Sequence, residues 1–163
     1  MVKLHIVVVG CDRVFNNERK IIIVKNIIFK DLKEDKIIEN RDIYLKRPCL
    51  IICEKEDKRY MLPISGSAKN KNYKLENIRL TNCDSLNRTL KKDSYLKLNR
   101  IITDNIYYKE PVDELDEIKY YKCLLRLIKY YENLNVKVEE YEQIKEELQE
   151  QANKIKIKEK LTI

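Results

Sequence analysis

Short apolar runs alternate with short charged ones through the first two thirds of the chain, and then the period changes. Residues 4–9 read as a strand closed by Gly10, and residues 20–29, KIIIVKNIIF, as a long β-branched strand pairing with it across the polar turn near Asn16 and Asn17. Residues 31–36 form a charged turn, and residues 37–45 a shorter strand running into Arg47. The apolar run ending at Cys53 suits a buried strand that starts at Pro48, since proline is tolerated at a strand's first residue. Five charged residues, 54–58, then have the length of a hairpin loop without an Asn-Gly signal, and residues 60–64 form the returning strand. Pro63 is expected to mark the end of ladder pairing. Residues 75–80 and a single stretch from Ser94 through Ile102 complete the sheet.

Beyond Pro111 the spacing becomes helical. Leu115, Ile118, Tyr121, Leu125, Ile128 and Tyr131 recur at steps of three and four, with Asp113 as the expected N-cap and Glu114, Asp116 and Glu117 in the first turn. Asn133-Leu134-Asn135 interrupts this helix. Tyr141, Ile144, Leu148 and Ile155 then mark a narrower stripe, with Gln151 filling its gap. So thin a seam is expected against a partner or a neighbouring helix rather than in a deep core, which leaves a homo-oligomer open. The last residues, KIKIKEKLTI, fit strand or frayed helix. The class is therefore α+β, with a β-rich domain over residues 1–110 and a helical segment over 111–163.

Charge adds a direction to this outline. The chain of 163 residues carries a net charge of +7, spread unevenly. Between Lys58 and Arg100 eleven basic residues face only Glu76, Asp84 and Asp93, whereas from Glu132 onward eight Glu face six Lys. A basic middle points to an anionic partner, nucleic acid before membrane surface. Neither a signal peptide nor an apolar run of about 20 residues is present, so a soluble cytoplasmic protein is expected. Five cysteines, at 11, 49, 53, 83 and 123, include no Cys-x-x-Cys pair. Cys49 and Cys53 are expected on one face of a strand but too far apart for a disulfide. With His5 as the single histidine, no metal cluster or other cofactor is proposed, and the thiols read as reduced structural residues.

An antiparallel hairpin brings the start of one strand beside the end of its partner, so Arg47 and the loop Ser65-Gly66-Ser67-Ala68-Lys69 should share one end. A guanidinium, two hydroxyls, a glycine and an ammonium are the parts needed to hold a phosphodiester. Arg47 would equally serve in a strand-edge salt bridge, the serines are ordinary turn residues, and Lys69 is one lysine among many. Two basic stretches flank the hairpin: Lys69, Lys71 and Lys74 on one side, Arg88, Lys91 and Lys92 on the other, with Arg79 between them. Tyr73 and Tyr95 fall in or beside this region and are the candidates for base stacking, whereas Tyr120-Tyr121 and Tyr130-Tyr131 are expected to send one ring of each pair into the core.

RDIYLKRPCLII, RYMLPIS and SYLKLNRIITDN, in that order and spacing, resemble the MazF/PemK family of toxin endoribonucleases and its RNA-neutralised relatives of the ToxN/AbiQ type, over roughly residues 40–105. The resemblance implies a small, strongly bent antiparallel barrel of SH3-like, PemK type with helices attached. It implies metal-independent cleavage of RNA by the 2′-hydroxyl, leaving a 2′,3′-cyclic phosphate and a 5′-hydroxyl. By motif position Arg47 would stabilise the phosphorane or protonate the leaving oxygen, Ser65 would match the hydroxyl residue after Pro-Ile, Ser67 would donate to the phosphate, and Lys69 would clamp it or act as base. It also implies a cognate antitoxin, either an acidic protein segment or a repeat RNA. The chain departs from the family in having Arg41 rather than Gly before Asp42 and almost no loop before Arg47. A non-catalytic barrel that binds RNA or protein is a second reading, and a structural protein whose long tail helix assembles oligomers a third.

Overall fold

In the computed structural model of the chain, which describes residues 17–25, 28–31, 36–39, 46–66, 76–90, 94–105 and 110–162, two long strands form the middle of an antiparallel sheet. They are β4 (Lys46–Lys55) and β5 (Lys58–Ser65). Leu50, Ile51, Ile52, Met61 and Leu62 are all buried, so both faces of the hairpin are covered and the strands read as continuous apolar runs. On one side lie β1 (Lys20–Lys25) and then β9 (Asp113–Glu114). On the other lie β8 (Arg100–Asn105), β2 (Ile28–Asp31) and β3 (Lys36–Glu39). The path β3-β2-β8-β5-β4-β1-β9 curls into an open half-barrel, with β7 (Ser94–Lys97) on the far half of β5 and β6 (Asn77–Leu80) beyond it. Two helices follow, α1 (Glu117–Glu132) and α2 (Glu139–Thr162). The fold is α+β, strands first and helices last, as the change of period indicates.

One face of the sheet and both helices share the main core, which runs from Ile21 and Leu50 through Leu96 to Leu124, Ile144 and Leu148. Ile22, Val24, Cys49, Ile51, Met61 and Ile102 form a second cluster on the opposite face. A bulge between Ile51 and Cys53 moves the outer half of β4 across the sheet, and it explains why Cys53 joins the main core while Cys49 belongs to the second cluster. The expectation that both thiols share a face is thereby overturned. Among the described cysteines, Cys49, Cys53 and Cys123 are buried, Cys83 is exposed, and none of the four is in a disulfide.

Several element boundaries differ from expectation for physical reasons. The hairpin loop is not five residues but two, Glu56 and Asp57, both with positive φ (51° and 64°), the mark of a type I′ turn. Glu54 and Arg59 stay in the ladder because they are cross-strand partners that bury one ion pair, with Arg59 Nη2 2.7 Å from Glu54 Oε2. Pro63 does not end the ladder either. It pairs with Cys49 and falls between the two segments that β5 pairs on its other edge, β8 up to Met61 and β7 from Ile64, where no N–H is called for. Residues 94–102 are two strands, parted by a turn at the buried Leu98 and Asn99. Residues 20–29 likewise divide into β1 and β2, which lie on opposite sides of the central hairpin. The strand expected at residues 4–9 lies outside the described residues.

The helices correct the expected faces. Asp116 caps α1, accepting from Lys119 N at 3.1 Å, whereas Asp113 sits in β9. The buried stripe of α1 is Tyr120, Cys123, Leu124, Leu127 and Tyr131, while Ile118 and Leu125 are exposed. Both stripes obey a helical period, and the sheet selects one of them. One ring of each tyrosine pair is buried, as expected, but in the first pair it is Tyr120 and not the Tyr121 of the expected stripe, while in the second it is Tyr131. Tyr141, Ile144 and Leu148 of α2 are fully built into the main core, not left as a seam for another chain. Gln151 is buried with them: its Nε2 donates to Ile52 O at 2.7 Å and its Oε1 accepts from the Tyr120 hydroxyl at 2.6 Å. The backbone at the bulge thus has its carbonyl satisfied by the helix. The chain's end is helical to Thr162. No helix among the described residues is long and apolar enough to cross a membrane.

Candidate phosphate-binding face

Antiparallel pairing aligns four of the sequence-selected residues across four strands. Cys49 opposes Pro63, so two residues further along each strand Arg47 opposes Ser65, and Arg47 Nη1 donates to Ser65 Oγ at 3.4 Å. Ser65 in turn opposes Tyr95 on β7, and Tyr95 opposes Arg79 on β6. Side chains alternate along a strand, and Ile64, Leu96 and Ile78 point into the main core. Arg47, Ser65, Tyr95 and Arg79 therefore form one row on the opposite face. Ser65 is buried, Arg47 and Tyr95 are half-buried and Arg79 is exposed, so the row climbs from a recessed guanidinium–hydroxyl pair to solvent.

Behind this row the open end of the half-barrel holds a cavity of about 460 Å³. Ile21, Ile23, Pro48, Ile64, Leu90 and Val112 make its walls apolar, and Arg47, Ser65 and Gly66 stand at its rim. Thr89 and Ser94 add hydroxyls on the far side. A Cβ on Gly66 would meet nothing within 4 Å, so the fold itself does not demand glycine there. Asp113, outside the lining, holds Thr89 in place: its carboxylate accepts from Asn87 N at 2.8 Å, Thr89 N at 3.0 Å and the Thr89 hydroxyl. Burial pushes this carboxyl up, but the hydrogen bonds from Thr89, Asn87 and Ser85 outweigh it and hold the pKa at about 2. The expected N-cap is instead the clasp of the 85–90 loop.

Sequence reasoning did not select Lys97 and Arg100. Lys97 lies on the same face as Tyr95, one row further in, and opposes Asn77. Arg100 shares that face through Ile102, the partner of Met61 in the second cluster. Partial burial lowers the pKa of Lys97, the charges of Arg100 and Arg47 lower it further, and Glu76 opposes the shift. Two guanidiniums therefore act on the ammonium of Lys97. The signal that would have found Lys97 is the alternation Ser94-Tyr95-Leu96-Lys97, once β7 was ended at the right residue.

Of the remaining sequence-selected residues, Arg88 is exposed in the 85–90 loop with φ 54°, away from the row but next to Thr89 at the cavity wall. Ser67, Lys69, Lys71, Tyr73, Lys74, Lys91 and Lys92 lie outside the described residues. Among the described residues no group of three or more His, Cys, Asp or Glu side chains is placed to hold a metal ion. No family model matches the sequence, and no curated protein matches it.

Proposed function

We propose that the protein is a toxin-type endoribonuclease that binds single-stranded RNA across the Arg47–Ser65–Tyr95–Arg79 row. The observation that carries this reading is the hydrogen bond between Arg47 and Ser65 at the rim of an open cavity. A fork of N–H donors beside a hydroxyl suits the non-bridging oxygens of a phosphodiester, and the fixed charge would act most strongly on the phosphorane, where negative charge accumulates. In the reaction the 2′-oxygen attacks the adjacent phosphorus, its proton passes to a base, and the P–O5′ bond breaks as the 5′-oxygen gains a proton. The products are a 2′,3′-cyclic phosphate and a 5′-hydroxyl. The nucleophile belongs to the substrate, so the protein needs to supply only charge, orientation and proton transfer. Tyr95, between Ser65 and the exposed Arg79, offers a ring on which a neighbouring base would stack.

A second reading has its own observation. The described residues lining the cavity include no carboxylate, imidazole or amine, which favours a barrel that holds RNA or a protein segment without cutting it. Purified protein incubated with mixed RNA in EDTA separates the two. Cyclic-phosphate and 5′-hydroxyl ends are expected, with Arg47→Ala and Ser65→Ala each reducing cutting by about 100- to 1000-fold while the melting curve persists. RNA that is retained but never cut would overturn the nuclease and leave the binding module. Under the nuclease reading the cell must hold the enzyme in check, either by an acidic protein segment that folds on the barrel or by a repeat RNA lying on the basic face.

A further inference from the structure

We propose that Lys97 and Arg100 extend the Arg47–Ser65 pair into a second phosphate subsite, which holds the phosphodiester next to the one at Arg47. The inference rests on the reading of this face as an RNA surface, not on cleavage.

Same-face positions along a strand repeat at about 7 Å, a spacing comparable with that of successive phosphates in a single strand. Row one holds Arg47 and Ser65, and row two holds Lys97. Arg100 follows across the turn at Leu98 and Asn99, on the same face. Bringing two guanidiniums to a half-buried ammonium is unfavourable in the empty protein, and a bound anion removes that cost. Among the described residues the charged groups that act on Lys97 are Arg100, Arg47 and Glu76. Cations remain in the majority.

Anion binding and proton binding at Lys97 are consequently linked. Only the ammonium attracts phosphate, so affinity is full while Lys97 is charged and falls as pH rises through its depressed pKa in the free protein. A carboxylate-bearing partner would feel the same charge and could also pair with a guanidinium fork, but its carboxylates hang on separate flexible side chains and do not repeat along a backbone at the spacing of the two rows.

The test uses a short 2′-O-methyl oligoribonucleotide, which carries phosphodiesters but has no attacking hydroxyl, so binding is read without turnover. Lys97→Gln and Arg100→Gln should each weaken binding by about tenfold and reduce the slope of log affinity against log salt by about 1. Lys58→Gln, an exposed change at the far end of β5, should do neither. Wild-type affinity should fall as pH rises, below the range where an ordinary lysine titrates, and Lys97→Arg should abolish that fall while keeping affinity near wild type. Losses no larger than that of Lys58→Gln would overturn the subsite, as would an unchanged pH profile in Lys97→Arg or equal binding of poly-glutamate of the same charge. If unmodified RNA is left uncut while this binding pattern holds, the nuclease reading falls and the subsite stands.

Discussion

Replacing Glu18 by Gln should make the protein markedly more stable at alkaline pH while leaving it almost unchanged near pH 5. Glu18 lies in the turn before β1, is 6% exposed, and its Oε1 has no hydrogen-bond partner. The nearby Glu54 is fully engaged, with Oε2 taking Arg59 Nε at 2.7 Å and Oε1 taking Asn17 Nδ2 at 2.8 Å. Burial first, then repulsion from Glu54 and Glu150 against the weaker pull of Lys154, pushes the Glu18 pKa up from 4.5 to about 9. The folded state thus holds this proton more tightly than the unfolded chain. The contribution of Glu18 to stability is therefore highest below pH 4.5 and falls, by at most about 1.4 kcal/mol per unit, as pH rises toward 9. The interval sets a ceiling of about 6 kcal/mol, a large share of the roughly 5–15 kcal/mol that holds a domain together. Urea unfolding followed by circular dichroism at pH 5.5, 7 and 8.5 reads the effect directly. Glu18→Gln should exceed the wild type by about 3–5 kcal/mol at pH 8.5 and by less than about 1.5 kcal/mol at pH 5.5. Parallel stability profiles for the two proteins would refute the reasoning.

Other consequences can be checked on the same preparations. Gln151→Leu removes the 2.7 Å donor to Ile52 O and the acceptor of the Tyr120 hydroxyl, leaving these two only their long 3.4 Å bond to each other, and urea titration should show a loss of about 1–3 kcal/mol. Arg59→Leu leaves Glu54 buried without its cation beside Glu18 and should cost about 3–5 kcal/mol in the same assay. Asp57→Gly relieves a positive φ in the hairpin turn and should add about 1 kcal/mol, seen as a higher melting temperature. Burial pushes the Cys53 and Cys123 thiols up to about 12, so brief iodoacetamide treatment and peptide mapping should find Cys83 modified and Cys49, Cys53 and Cys123 protected.

The amino-acid sequence alone was enough for the order of the architecture and for the meeting of Arg47 with Ser65. Period-two runs followed by period-three-and-four runs report burial directly, and an antiparallel hairpin must bring its first and last residues together whatever surrounds it. The α2 stripe, Gln151 included, was legible for the same reason. What covers each stripe was not. Apolar residues line two sides of α1, and only the sheet determines that Leu124 is buried and Leu125 exposed. Residues 54–58 looked like a loop because the pattern records charge but not the partner that neutralises it, and Glu54 finds Arg59 directly across the ladder. The bulge that parts Cys49 from Cys53 depends on the register of β4 against β5, and the placing of Lys97 one row from Arg47 on the register of β5 against β7, a strand much further along the chain. Period-two alternation says which residues share a face, but not which strand lies alongside or where a bulge slips the pairing, because those arise from the packing of strands against one another.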